Sequence, residues 1–294
     1  MRPAARLRQL LAAGDAVMAP GVADPLFARL VAKHGFEAVY MTGAGTSATR
    51  LGMPDIGLLT MTEMVDNAAR IVAACDLPVI ADCDNGYGGP LNVRRAVQEY
   101  ERAGVAAIHL EDQVLPKRCG HLAGKQLIPA HEMVAKLHAA TDARRDSDFV
   151  LIARTDALAV EGLEPALERA ARYGEAGADL LFVEAPGPGD IAAIPGRLAR
   201  PAVYNMATSG KTPFLNRAEV SKLGYRLILY PNWLLLAAIR AAESVLVTLK
   251  REESVAGIAP DLPDFRQFFD LLGMQDVRAL EERYGVPEDS RVDY

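Results

Sequence analysis

Short apolar runs rich in Val, Ile, Leu and Phe recur along the chain, and each gives way to a segment with apolar residues at three- and four-residue spacing. The runs are AVMAPGV from Ala16, EAVYMTG from Glu37, PVIADCDNG from Pro78, AAIHLED from Ala106, FVLIARTDA from Phe149, LLFVEAP from Leu180, PAVYNM from Pro201 and RLILYPN from Arg226, which makes eight strand candidates. Between them the spacing predicts helices such as Thr62 to Cys75, Asn92 to Gly104, AHEMVAKLHAAT and EPALERAARYGEAG, several of them closed by Gly. Strands apolar throughout, rather than alternating, are what parallel strands covered by helices require, and eight such units close into a barrel. The expected fold is therefore an α/β, (β/α)8 TIM-type barrel over residues 1–260, with an open doubly wound sheet as the alternative. A polar linker and the aromatic-rich stretch FRQFFDLLGMQDVRALEERYG then predict an appended C-terminal helical segment, residues 261–294.

In a barrel of this kind the chemistry sits where strands end and loops begin. Those positions carry Tyr40-Met41-Thr42-Gly43, Asp82-Cys83-Asp84, Glu111-Asp112, Arg154-Thr155-Asp156, Glu184, Asn205 and Tyr230-Pro231. A strand that is apolar to its last residue and then acidic, several times over, is hard to explain by packing.

Composition narrows the class. The chain has 294 residues, half of them hydrophobic, enough for one large core. A formal charge of −6 without long blocks of like charge offers no electrostatic footprint for nucleic acid, so no such partner is expected. Three cysteines without a CxxC pair argue against a disulfide framework or a thiolate zinc site and fit a reducing, cytoplasmic setting. Neither the N-terminus, interrupted by Gly14 and Asp15, nor the run WLLLAAI from Trp233 is long enough for a membrane span.

Four constellations bear on chemistry. Asp82 and Asp84, two apart on a strand and facing the same way, together with Glu111 from the next strand, offer hard oxygen donors suited to a divalent cation, although helix capping or salt bridging is the plainer reading of any one of them. GAGTSA, residues 43–48, matches the G-x-G-x-x-G/A pattern after a strand, but the long loop LGMPDIGLLT that follows favours backbone amides binding a carboxylate or phosphate, or a plain tight turn. In KRCGH the cations Lys117 and Arg118 and the imidazole of His121 flank Cys119, which should lower the thiol pKa. Because His121 is poorly placed to be a dedicated base, proton delivery by Cys119 is preferred over nucleophilic attack. Arg154, a guanidinium at the barrel mouth, needs a carboxylate or phosphate, and pairing with Glu184 is its structural alternative.

Taken in order, Tyr-x-Thr-Gly at the second strand, LGMPDIGLLT, ADCDNGYGG, LEDQVLPKRCGH, ARTDA, VEAP and YNM resemble the isocitrate lyase and phosphoenolpyruvate mutase superfamily, over roughly residues 15–250. The stretch KRCGHLAGKQLIP is most similar to the branch with 2,3-dimethylmalate lyases and the plant petal death protein, which also has oxaloacetate hydrolase relatives. The resemblance implies a magnesium site, open also to manganese, at Asp82 and Asp84, with Asp55 and Glu111 in its shell through water. It implies substrate contacts at Thr42, Gly43, Ala44, Lys117, Arg118, Gly120, Asn205 and Trp233. Tyr40, Cys119, His121, Arg154 and Glu184 become the catalytic set, and KRCGH a mobile gate with Cys119 as general acid. The implied reaction is retro-Claisen cleavage of a small 2-hydroxy dicarboxylate. Family members exchange C-terminal helices and assemble as dimers of dimers, so a homo-oligomer is expected.

Departures refine the substrate. Where methylisocitrate lyases carry two arginines for a third carboxylate, this chain has Leu236 and, near the start of the C-terminal segment, about Phe265. A third carboxylate left unpaired there would be costly, so a 2-alkylmalate or oxaloacetate is expected. Thr208 stands where many lyase relatives have Glu, and Trp233 where they often have Ser or Thr. The competing expectations are oxaloacetate hydrolysis or decarboxylation, then methylisocitrate cleavage, then carboxyphosphonoenolpyruvate mutation, and outside catalysis a degenerate barrel that only binds a 2-oxo acid.

Overall fold

The computed structural model describes residues 1–292; Asp293 and Tyr294, the end of the predicted C-terminal segment, lie outside the described residues. Eight strands, β1 (Val17–Val22), β2 (Val39–Met41), β3 (Val79–Asp82), β4 (Ala107–Glu111), β5 (Val150–Thr155), β6 (Leu180–Val183), β7 (Ala202–Asn205) and β8 (Tyr225–Tyr230), form a closed parallel barrel in sequence order. Closure is made by β8 pairing back onto β1, with Val17 opposite Leu227 and Pro20 opposite Tyr230. The eight apolar runs are these eight strands, and the open-sheet alternative falls.

Each strand is buried on both faces, which is why its sequence does not alternate. One face joins the helices in an outer layer that includes Met41, Ile71, Val97, Ile108, Leu137, Leu151 and Tyr173. The other fills the barrel with Val17, Ala19, Ile80, Ala107, Ile152, Leu180, Phe182, Val203, Leu227 and Leu229, and the first helix, Pro3–Ala12, adds Leu7 to this inner core with no exposed surface. Helices Met61–Ala74, Pro90–Arg102, Ala130–Ala143 and Leu163–Glu175 lie within a residue or two of the segments predicted from apolar spacing.

The glycine-rich stretch departs from the expected loop: Gly43–Leu51 is a helix capped by Thr42, whose side chain accepts from the Gly45 amide. Its glycines answer to close approach. A Cβ on Gly43 would collide with the Asp82 carboxylate, and one on Gly45 would lie 2.5 Å from Thr42 Cγ2.

The chain divides into two compact units, residues 1–235 and 236–294. The division falls inside the helix Trp233–Glu252 rather than at residue 260, and no side chain of that helix is fully buried. The second unit contains the helices Phe265–Leu271, capped by Asp264, and Met274–Arg283. Among the described residues no helix is long and apolar enough to cross a membrane.

Candidate active site

The two-residue period of a strand carries the inner core upward into polar residues at the carboxyl end. Above Ile80 stands Asp82; above Ala107 stand His109 and then Glu111; above Ile152 stands Arg154; above Phe182, Glu184; above Val203, Asn205. All six polar side chains are buried. Four of them, Asp82, Arg154, Glu184 and Asn205, line a cavity of about 230 Å³, whose wall also includes Tyr40, Thr42, Ala44, Asp55, Cys119, Gly120, His121 and Thr208, while His109 and Glu111 lie behind it. That is smaller than the roughly 300 Å³ at which drug-sized sites begin, so it suits a ligand of few atoms.

Arg154 is fixed by its neighbours. Its Nε and Nη2 donate to the two oxygens of Asp156 at 3.0 and 3.1 Å, Nη1 lies 3.3 Å from Glu111 Oε2, and Nε lies 3.5 Å from Glu184 Oε2. The structural pairing with Glu184 is therefore only part of a larger arrangement. Asn205 donates to both Glu184 oxygens at 3.1 and 3.2 Å, and His121 Nε2 sits 3.2 Å from Oε1. Burial works against ionisation of Glu184, but Arg154 first, and then His121 and Asn205, hold its carboxyl far below the usual range. It is a fixed negative charge.

At the acidic side, Lys117 Nζ lies between Asp55 Oδ1 at 2.5 Å and Asp84 Oδ1 at 2.6 Å. Asp84 is not on the strand, as the two-residue argument supposed. It lies beyond β3 with φ of 46°, and its amide donates to Asp82 Oδ1 at 2.9 Å, so a turn rather than pleat parity brings the pair together. Burial, against the pull of Lys117 and helped by Asp82 and Asp55, pushes Asp84 up to about 6, and burial also pushes Glu111 well up.

These residues fit a magnesium ion. Glu111 Oε1 is buried without a hydrogen bond, Asp84 Oδ1 has only its ion pair with Lys117, and the donors are all hard oxygens whose mutual repulsion a dication would relieve. Among the described residues no three His, Cys, Asp or Glu side chains form a closed cage. Magnesium held through one or two carboxylates, with waters and substrate oxygens completing the shell, requires none.

Cys119 lines the cavity, but the expected lowering of its pKa does not occur. Burial pushes the thiol up, opposed by the His121 amide. The neighbouring cations are engaged elsewhere: Lys117 with Asp55 and Asp84, and Arg118 Nη1 with the Ala123 carbonyl at 3.0 Å. The thiol stays protonated at neutral pH, which suits a proton donor better than a nucleophile. His121 turns from the cysteine to Glu184 and to Ser209 Oγ, 2.7 Å from its Nδ1.

Four residues expected to touch substrate lie off the cavity wall. Lys117 neutralises the acidic cluster, Arg118 points to its own loop, and Trp233 donates through Nε1 to the Met206 carbonyl at 2.7 Å while packing on Phe214. Gly43 is also behind the wall, its amide donating to Asp82 Oδ2 at 3.2 Å. From the sequence His109 reads only as a histidine within a strand and is uninformative, because it is hidden in an apolar run. Its Nε2 is 2.9 Å from the Tyr40 hydroxyl, which is 3.4 Å from Asp82 Oδ2. Burial lowers the His109 pKa, and its Nδ1 has no hydrogen-bond partner, so the neutral ring carries its proton on Nε2 and donates it to Tyr40.

Residues 7–250 match the family described as phosphoenolpyruvate phosphomutase. The 2,3-dimethylmalate lyase of Eubacterium barkeri is 45% identical over 97% of this chain and 99% of its own length. The 2-methylisocitrate lyase of Aeropyrum pernix is 42% identical over 94% and 89%. Among solved structures, oxaloacetate acetylhydrolase in complex with 3,3-difluorooxalacetate superposes with a TM-score of 0.93 at 38% identity, covering 98% of each chain. A phosphonopyruvate hydrolase in complex with oxalate and Mg²⁺ gives 0.89 at 31% identity, covering 97% of this chain and 99% of the other. With its closed barrel and acid-rimmed cavity, this chain belongs to the phosphoenolpyruvate phosphomutase family, within the isocitrate lyase/phosphoenolpyruvate mutase superfamily.

Proposed function

We propose that the protein is a magnesium-dependent carbon-carbon lyase that cleaves a small 2-hydroxy dicarboxylate, a 2-alkylmalate such as 2,3-dimethylmalate, to a 2-oxo acid and a carboxylic acid. The observation that carries this reading is the placement of Cys119 on the wall of a small cavity shared with Arg154 and Tyr40, where burial favours its protonated form. The identity to the Eubacterium barkeri lyase supports it.

In this reading Asp82 and Asp84 hold the ion, with Asp55 and Glu111 through water. Magnesium bound there, or manganese in its place, would supply Lewis-acid stabilisation of charge on the substrate's 2-oxygen. Arg154, locked by Asp156, binds the carboxylate end and favours the 2-oxo product. The hydroxyl proton passes to the Tyr40 oxygen as Tyr40 hands its own proton to Asp82 Oδ2, 3.4 Å away, with His109 Nε2–H donating to the phenolic oxygen. The oxygen's electron pair forms the carbonyl, the C2–C3 bond breaks, and its pair is left on C3 as a carboxylate enolate. Cys119 then delivers its proton to C3. Closure of residues 117–121 over the cavity keeps water from that carbanion. Thr42, Ala44, Gly120 and Asn205 shape the remaining walls.

A second reading, oxaloacetate hydrolysis on the same scaffold, is favoured by the likeness to oxaloacetate acetylhydrolase. The test is product analysis, with magnesium and with chelator, on 2,3-dimethylmalate, 2-methylmalate, methylisocitrate, isocitrate, oxaloacetate and carboxyphosphonoenolpyruvate. Metal-dependent pyruvate from an alkylmalate supports the lyase; oxalate and acetate from oxaloacetate transfer the assignment to the hydrolase. Strong turnover of methylisocitrate overturns the argument from Leu236 and Phe265, and silence across the panel leaves a binding protein.

The same reading makes the protein a cytoplasmic homo-oligomer, a dimer of dimers, whose C-terminal segment, residues 261–294, exchanges between subunits. Exposed apolar side chains at Ile239, Leu246, Val247 and Phe268 support an association surface. Sedimentation of the intact protein tests it, a monomer at micromolar concentration counting against it.

A further inference from the structure

The loop that carries Cys119 is tied at both its stems to one buried carboxylate. On the entering side, Gln113 Nε2 donates to the Arg118 carbonyl at 2.8 Å and to Asp156 Oδ2 at 3.2 Å, while its Oε1 accepts from the Arg118 amide at 3.0 Å. On the leaving side, Lys125 Nζ donates to the Gly120 carbonyl and, at 2.8 Å, to Asp156 Oδ1. Gln113 and Leu127 are joined by an isolated antiparallel bridge, which holds the stems together. The same Asp156 oxygens take the two bonds from Arg154. Gln113 and Asp156 are almost completely buried, and the Lys125 side chain is 3% exposed.

Two features set Lys125 apart from a structural cation. An ammonium this deeply buried is costly unless its donors are satisfied, and one of its two acceptors is the Gly120 carbonyl, available only while the loop lies on the barrel. Opening the loop therefore removes a hydrogen bond from the ammonium and, through Gln113, two from the loop backbone. Asp156 then keeps Arg154 with fewer partners to define its own position. The carboxylate is itself fixed from behind, its backbone amide donating to Asp112 Oδ1 at 3.0 Å, so what varies with the loop is the side-chain end facing Arg154.

We propose that Lys125, with Gln113, is a positioning latch that couples closure of residues 117–121 to the orientation of Arg154 through Asp156. This rests on the lyase reading for its activity readout. The latch touches no substrate; it sets the fraction of bound complexes in which Cys119 and Arg154 are both in register. Its removal lowers kcat while leaving ground-state binding nearly intact, because Arg154 keeps its charge and its Asp156 contacts.

The test uses Lys125→Met and Gln113→Leu, singly and together, on the intact protein. Each single variant is expected to lose on the order of 10- to 100-fold in kcat, the cost of a displacement of about 1 Å at a reacting centre, with KM within about threefold of wild type. The double variant should lose less than the product of the two, since both act through one carboxylate. A second readout is independent of turnover: limited trypsin cleavage after Lys117 and Arg118, with magnesium and oxalate as the probe. Oxalate should protect the wild type strongly and the variants weakly. Variants that fold, show wild-type kcat and are protected as well as wild type overturn the latch. Multiplicative losses in the double variant overturn the shared route through Asp156. Should wild type cleave nothing in the substrate panel, the lyase reading fails instead, and the protection assay still decides the latch.

Discussion

Substituting Gly120 by Ala separates closure of the loop from stability of the barrel. A Cβ at this position would collide with Arg154 Nη2 and lie 2.7 Å from Glu184 Cγ and 3.0 Å from Cδ, against ordinary contacts of 3.4 Å or more. Neither neighbour can yield: Asp156 holds Arg154 through two bonds, and Asn205 holds Glu184 through two more. The loop must move instead. Overpacking of this kind costs about 1–3 kcal/mol, which applied to the closed state alone lowers the closed-to-open ratio roughly 5- to 150-fold. Because the collision is confined to the contact of Gly120 with Arg154 and Glu184, and displacing the loop relieves it, global stability should stay within about 0.5 kcal/mol of wild type. The assay is initial-rate pyruvate release from the alkylmalate, coupled to NADH oxidation by lactate dehydrogenase, beside a thermal melt. A kcat within twofold of wild type would refute the reasoning, as would a loss of activity matched by a loss of folded protein.

Cys119→Ala should reduce kcat by about 10²- to 10⁴-fold with little change in KM, as measured by the same coupled assay. Since burial disfavours the thiolate, its pKa lies above the ordinary thiol value, the donor form persists at neutral pH, and activity should fall only as pH rises through that raised pKa; the limb should vanish in Cys119→Ser. Iodoacetamide should accordingly label Cys119 more slowly at pH 7 than it labels a free thiol. Asp84→Asn removes a carboxylate proposed to hold the ion, and a magnesium titration should show half-maximal activity shifted upward at least about tenfold. Leu7→Ala, in the inner core and far from the strand ends that carry the site, should cost about 2–5 kcal/mol in denaturant unfolding while leaving kcat unchanged.

The barrel was legible because parallel strands buried on both faces leave continuous apolar runs, and the acidic strand ends then marked the cavity. What escaped the sequence did so for physical reasons. The helix Gly43–Leu51 reads as a loop because its two leading glycines answer to Asp82 and Thr42, contacts that no local pattern records. Chain neighbours also misled: Lys117 and Arg118 adjoin Cys119 in sequence, yet their charges are spent on Asp55, Asp84 and the Ala123 carbonyl, and burial decides the thiol. His109 could have been found by counting two residues back from Glu111 along the inward face of β4. Lys125 offered no such signal, because its meaning depends on a loop folding back 31 residues away from Asp156.

The central claim, cleavage of C2–C3 with proton delivery from the loop, is tested most directly by following 2,3-dimethylmalate in D2O by NMR, with magnesium and with excess chelator. The account predicts equal amounts of pyruvate and of propionate carrying a single deuterium at C2, formed only with metal and greatly slowed in Cys119→Ala. Unchanged substrate, or products that retain the C2–C3 bond, would contradict it.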